Sequence, residues 1–373
     1  MKYYFIYSAG GGAGDWNGVK RVWNNWMPVE LKSNILLKFG DVFYNHASGT
    51  NLIKPQKWRD ISNLREWLFN GTQDNYVLNN STILLDSGTS KIVSYITHNN
   101  PHLEAHEIIE EFDRQINVNN IFQKYVDIIN NSNINYVVTF DIPNTFKIRS
   151  QNEDTRRSHF NENQENLMID KCITYCNRLY TELGNQDKIL TTFSATWSNE
   201  GISRFLQSLS YVPNKLAIGG ISDASIENTE GYINNLQNVI NFNNYQYIHF
   251  LGCGGFQKVI KLKEMGFTNN DIFSVDNSTP MNRAIDGNTS GTSQSGFICH
   301  RTGQIKRINP NTIQDILFEN NNFQNSLFSS TELQSILTQI LEHQNHNSSH
   351  NTYDARAKLS FHNHDVFRQN ALE

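Results

Sequence analysis

The stretch STILLDSGTS, residues 81–90, sets a short run of apolar and β-branched residues directly against an aspartate, a serine and a glycine. The run TILL at 82–85 does not alternate in polarity, so it reads as a strand buried on both faces, as in a parallel sheet. Asp86, Ser87 and Gly88 are residues of a kind that make tight turns. They equally suit a catalytic acid held at the rim of a barrel, where parallel strands end and active sites gather.

Similar runs recur along the chain: KYYFIYS at 2–8, NYVVTF at 135–140, ILTTF at 189–193, KLAIG at 215–219, YIHFLG at 247–252 and DIFSV at 271–275. Segments with helical spacing lie between them, at 161–183, at ENTEGYINNLQNVI and at FQKVIKLKEMGF, where Gly266 stands in the position of a helix stop. Strands separated by helices argue for repeated βαβ units. The starts near 189, 215, 247 and 271 keep a rhythm that suits a barrel better than two lobes. The expected fold is therefore α/β, a (β/α)8 TIM-type barrel over residues 1–310 with irregular N-terminal additions. A helical, polar C-terminal extension over 311–373 follows, histidine-rich and expected to pack peripherally or stay flexible.

The formal net charge of −5 gives no global case for a polyanion partner. The basic clusters Lys20–Arg21, Arg156–Arg157 and Arg301/Lys306/Arg307 are solvated faces or local phosphate contacts. Four cysteines, at 172, 176, 253 and 299, are too few for a disulfide framework. Cys172 and Cys176 would share a helix face as buried thiols. With no apolar span for a signal core or a membrane, a cytoplasmic protein is expected. His343, His346, His350, His362 and His364 could be read as a metal cluster, but no metal and no other cofactor is expected.

Three aspartates follow buried runs: Asp86 after TILL, Asp141 after NYVVTF and Asp276 at the end of DIFSV. Each alone is compatible with a turn or a helix cap. Together, at matching strand ends, they suggest a shared site. Paired carboxylates do glycosidic chemistry, one attacking the anomeric carbon and the other moving the leaving group's proton. A third carboxylate can accept hydrogen bonds from the ring N–H and amine of a guanine-like base.

ILLDSGTSKIVSY, YVVTFDIP, LAIGGIS and HFLGCG…IFSVDNSTPMNRAIDG resemble, in order and spacing, the successive motifs of the guanine transglycosylase superfamily over residues 80–290. The resemblance implies a pentosyltransferase that exchanges a base through a covalent glycosyl-aspartate. In it Asp276 matches the nucleophile, with Pro280, Ala284 and Gly287 keeping the spacing, and Asp86 the general acid/base, followed by Ser87 and Gly88. Asp141 matches the purine-reading carboxylate, and Gly219, Gly220 and Ile221 match a base-contacting loop. The family often forms homodimers.

The chain departs from the pattern in three places. Thr89, Ser90 and Lys91 replace a glycine, an aromatic and a glutamine, and Ser194–Ala195 stand near where a base-reading glutamine is usual. Beyond the nucleophile, only Cys299 remains where tRNA-acting bacterial enzymes carry a cysteine-rich zinc subdomain, and Arg283 is the single arginine of the loop. These departures resemble the branch acting on DNA, the DNA 7-deazaguanine transglycosylases, which implies exchange of guanine in DNA for preQ0 or a relative. Arg283, Arg156 and Arg157 would be its nucleic-acid contacts. The alternatives are a tRNA-guanine transglycosylase and a non-catalytic nucleic-acid-binding subunit. Trp16, Trp23, Trp26 and Trp197 could support base extrusion, or simply pack. AGGGAG at 9–14 lacks the Gly-Lys-Ser/Thr ending of a phosphate loop and reads as a loop near the barrel mouth.

Overall fold

The computed structural model describes residues 1–7, 26–69, 80–143, 145–150, 153–159, 161–285, 295–323, 325–342 and 350–373. The glycine-rich segment 9–14, Trp16, Trp23, Gly287, His343 and His346 lie outside the described residues.

Eight strands close into a barrel: β1 (Lys2–Tyr7), β2 (Asn34–Lys38), β3 (Thr82–Asp86), β4 (Tyr136–Val138), β7 (Ile189–Ser194), β8 (Lys215–Gly219), β9 (Tyr247–Phe250) and β10 (Phe273–Asp276). Their order around the barrel is β1-β10-β9-β8-β7-β4-β3-β2. The pairings are parallel, with Tyr4 opposite Asp276, Leu85 opposite Val137 and Ser194 opposite Gly219. Two antiparallel ribbons stand apart from the barrel sheet. They are β5 (Thr145–Ser150) with β6 (Glu153–His159), and β11 (Gly296–Ile298) with β12 (Ile305–Arg307).

Helices alternate with the strands: α1 (Thr89–Asn99), α2 (Ala105–Val118), α3 (Ile121–Asn131), α4 (Glu162–Leu183), α5 (Asn199–Gln207), α6 (Ile226–Gln237), α7 (Phe256–Glu264) and α8 (Thr279–Ile285). The (β/α)8 expectation therefore holds. Seven of the eight strands coincide with the apolar runs, and β2, NILLK, is the one not anticipated. The residues of β7 and β8 are buried throughout, as strands covered on both faces must be. Helix α4 starts at a capping box on Asn161 and Gln164, whose side chains each accept the other's backbone N–H.

The chain divides into two compact units, residues 36–68 with 82–251, and residues 1–35 with 69–81 and 252–373. In the first, Phe122, Phe140 and Tyr175 pack ring to ring, and Tyr125 sets its edge on Phe140. The Tyr125 hydroxyl donates to the carbonyls of Leu85 and Val138, closing the gap between β3 and β4 from outside. Cys172 and Cys176 are buried thiols on α4, as their spacing suggested, and all four cysteines are free.

The second unit contains α9 (Ile313–Asn321), α10 (Ser330–Glu342) and α11 (His350–Leu372). Its core gathers Ala284, Phe297, Ile316, Leu337, Ile340 and Leu359. Here the sequence reading needs correction, because the described end of the polar tail, α11, is not packed peripherally. Ser360, Phe361, His362, Asn363, His364 and Asp365 of α11 are all buried. Most of the polar ones find partners, the Ser360 hydroxyl being left without one among the described residues. Asn363 receives the Ile298 N–H at 2.9 Å and donates to the carbonyls of Gly296 and Pro280 at 2.9 and 3.2 Å. His362 Nε2 lies 3.1 Å from the Ile298 carbonyl, and His364 Nδ1 lies 2.8 Å from the Tyr3 hydroxyl. Burial pushes both imidazoles down to about 3, so they are neutral. Among the described residues no three His, Cys, Asp or Glu converge as a metal site, and no helix is long and apolar enough to cross a membrane.

Replacing Asn363 by Leu takes away the partner that it provides to one buried N–H and two carbonyls. At about 1 to 3 kcal/mol for each orphaned group, the Asn363→Leu protein is expected to lose about 3 kcal/mol or more. A urea midpoint equal to the parent's would show that the bonds do not hold α11 in place.

Candidate functional site

Asp86 is the last residue of β3, with its three predecessors buried. Its Oδ1 accepts the Gly88 N–H at 3.1 Å, so the acid closes the turn that follows it. Turn residue and strand-end acid, posed as alternatives by the sequence, are one arrangement. Gly88 holds φ +73°, and a Cβ there would sit 2.5 Å from the Gly40 nitrogen. Both the left-handed backbone and that contact demand glycine. Ser87 is buried beside it, and its hydroxyl has no hydrogen-bond partner among the described residues.

Asp141 comes three residues after β4 and is engaged by the first residue of α1. The Thr89 hydroxyl donates to Asp141 Oδ1 at 2.9 Å. Burial pushes the Asp141 carboxyl up to about 6; the Thr89 bond opposes this rise and the nearby Asp86 adds to it. These two acids thus share one electrostatic environment. Thr89, which departs from the family pattern, is by geometry part of the site. Lys91, the charged residue among these departures, pairs with Asp41 at 2.5 Å, and Lys54 donates to the Asp41 carbonyl at 2.9 Å. Burial, with Lys57 and Lys91 close by, brings the Lys54 ammonium down to about 8.

Gly219 ends β8, Gly220 turns with φ +81°, and Ile221 is buried. A Cβ on Gly220 would fall 1.9 Å from Ser194 Oγ, so glycine there makes room for that hydroxyl. Ser194 Oγ lies 2.8 Å from Thr196 Oγ1, and the Ala195 N–H donates to the Gly219 carbonyl. Small polar groups therefore occupy the place where a glutamine was looked for.

In the second unit, Asp276 ends β10 and is 4% exposed. The loop Gly252–Gly254 cradles it. The Gly252 N–H donates to Asp276 Oδ1 at 2.8 Å, and the Gly254 N–H to its carbonyl at 2.7 Å. Asn277 clamps this loop through Nδ2 to the Gly252 carbonyl, while its Oδ1 receives the Thr279 N–H at the start of α8. Tyr3 and His364 lie close enough for the Asp276 charge to act on both. It adds to the burial that raises the Tyr3 phenol and opposes the burial that lowers His364. Sequence reasoning connected neither with Asp276: Tyr3 stood inside an apolar run, and His364 was considered only as a member of a metal cluster.

The remaining candidates lie on other elements. Arg283 sits exposed on α8, with Pro280 in the same helix and Ala284 buried beneath it. Arg156 and Arg157 lie in β6, opposite Ile148 and Lys147. Trp197 is packed against Phe193 and Phe205, so it belongs to the core. Trp26 is about half exposed and carries Lys358 over its ring at 3.8 Å. No family profile matches the chain, and no curated protein is detectably similar to it.

Two measurements probe this geometry. The Asp141 carboxyl, followed by carbon-detected NMR, is expected to titrate with a midpoint of about 6. Because the folded value lies above the unfolded one, the folded chain binds more protons between about pH 4 and 6, and stability falls as pH rises through that window. Asp141→Asn should flatten this dependence; an unchanged pH profile would place the effect elsewhere. Gly88→Ala is expected to cost about 1 to 3 kcal/mol from backbone strain alone. Unfolding at the parent's midpoint would contradict the close Gly40 contact.

Proposed function

We propose that this protein is a DNA guanine transglycosylase that exchanges guanine for a 7-deazaguanine base through a covalent glycosyl-aspartate intermediate. The observation that carries the reading is that three carboxylates stand at or just beyond the carboxyl ends of strands in one parallel barrel. That is where barrel enzymes place their chemistry. The residues carrying the family resemblance coincide with those strand ends.

In this reading Asp276, held by the Gly252 N–H, attacks C1′ as the bond to guanine N9 breaks. Asp86 supplies the proton that the departing base takes. The incoming 7-deazaguanine gives a proton to the same Asp86 and attacks C1′ in turn. The Asp276 ester bond breaks, and two inversions leave net retention. Asp141, ionised above about pH 6, accepts hydrogen bonds from the ring N–H and exocyclic amine of either base. Ser87, whose buried hydroxyl lacks a partner among the described residues, is assigned a hydrogen bond to the bound base. The target nucleotide has to leave its stack, at a cost of a few kcal/mol, before C1′ is reachable.

The decisive assay offers duplex DNA and tRNA together with labelled preQ0. Label is expected in DNA, with exchange abolished in Asp276→Ala and slowed about 10²- to 10⁴-fold in Asp86→Asn. Label entering only tRNA would replace the substrate. Failure to trap any covalent adduct would leave a non-catalytic binding subunit as the better description.

A further inference from the structure

We propose that Tyr44 is a further residue of the base site, its hydroxyl donating a hydrogen bond to ring nitrogen N3 of the purine-type base held at Asp86 and Asp141. The identity of the base rests on the function proposed above, whereas the need for a bonding partner at this hydroxyl rests on the tyrosine itself.

β2 and β3 are neighbours in the barrel, and the chain leaving β2 forms the short helix Phe39–Phe43 before it reaches Tyr44. Tyr44 thus stands on the strand-end side of β2, next to the turn that Asp86 opens. Its ring lies along that turn. A Cβ on Gly40 would be 3.0 Å from Tyr44 Cδ2, and one on Gly88 3.6 Å from Cε2, the carbon next to the one that bears the hydroxyl. The residue is pinned: its N–H donates to the Gly40 carbonyl at 3.0 Å, it bridges to Ile53, and its ring meets Phe39 edge-on at 5.6 Å. A ring held this way has its hydroxyl in place before any ligand arrives, so little ordering cost remains to be met on binding.

Elsewhere in this unit buried phenols are bonded. Tyr125 reaches the carbonyls of Leu85 and Val138, Tyr175 donates to Asp113 at 2.6 Å, and Tyr211 meets Thr191 at 2.7 Å. Tyr44 is fully buried, yet its hydroxyl has no partner among the described residues, and the same holds for Ser87, next to Asp86 in the chain. A phenylalanine would fill the space between Phe39 and Gly88 without stranding a polar atom, so a tyrosine here costs stability. Two stranded hydroxyls beside one strand-end acid mark the polar wall of a ligand site.

Burial and the Asp86 charge both raise the Tyr44 phenol, so it keeps its proton and acts as a donor. In the reaction proposed above Asp86 exchanges a proton at N9. Two acceptors flank N9 in guanine, N3 and N7, and a 7-deazaguanine keeps only N3. A donor that serves the outgoing and the incoming base alike is therefore a donor to N3.

The test measures binding of labelled guanine and of 3-deazaguanine to the full chain by equilibrium dialysis, alongside urea unfolding of the same proteins. Tyr44→Phe is expected to unfold at the parent's midpoint or above it and to bind guanine about three- to tenfold more weakly. Its affinity for 3-deazaguanine, which carries C–H in place of N3, should match the parent's, because the two deletions remove the same bond. Equal guanine affinity in parent and variant would overturn the proposal, the hydroxyl then being served by buried water. A variant that is destabilised and weakened equally toward both bases would overturn it too, by showing a structural role. If the expected selectivity is found but no covalent adduct with DNA ever forms, the Tyr44 assignment survives and the transglycosylase reading falls. Normal base exchange in Tyr44→Phe with parent-level guanine affinity would do the reverse. A parent chain that binds neither base would overturn both.

Discussion

A carboxylate taken out of water must be met by donors or give up its charge, and that requirement shapes the ends of the strands in this barrel. Asp86 is met by the N–H two residues ahead of it, and Asp276 by the N–H of Gly252. Asp141 receives one hydroxyl, from Thr89, and burial shifts its proton affinity upward. Each solution dictates its surroundings. Asp86 requires a turn tight enough to need glycine against Gly40, Asp276 a loop clamped by Asn277, and Asp141 a helix starting where Thr89 can reach it. The loops are therefore built around the acids.

How much of this could be read beforehand varied with the physics involved. The strands at 82, 189, 215, 247 and 271 were legible because burial on both faces leaves continuous apolar runs. β2 was not, since NILLK passes straight into FGDVF without a polar stop, and periodicity does not separate a short strand from the helical turn after it. The β5–β6 ribbon was hidden by its own charge, because KIRS and EDTRRSH look like solvated loop. Helix α11 was misread for a related reason. Composition registers that Asn363, His362 and His364 are polar, but whether a polar group is exposed depends on partners such as the Ile298 N–H and the Tyr3 hydroxyl, which are distant in sequence.

The same distinction runs through the candidate site. The three aspartates could be picked out because a strand end is a local signal. Gly88, two residues from Asp86, could be picked out with it, but the more distant residues that set the surroundings could not, since they act across a long sequence gap. Thr89 reaches Asp141 over 52 positions, and Tyr3 reaches His364 over 361. Thr89 looked like a loss when judged by family pattern, yet it supplies a hydrogen bond to a carboxylate that burial would otherwise leave worse off.

The Tyr3–His364 contact also bears on how the chain matures. β1 precedes α11 in the chain, and Tyr3 and Phe5 are covered by Phe361 and His364 of α11, which emerge hundreds of residues later. Throughout synthesis the nascent chain carries an apolar strand whose cover has not been made. The face of β1 that Tyr3 and Phe5 present is therefore closed only once α11 has been made, long after the strand itself.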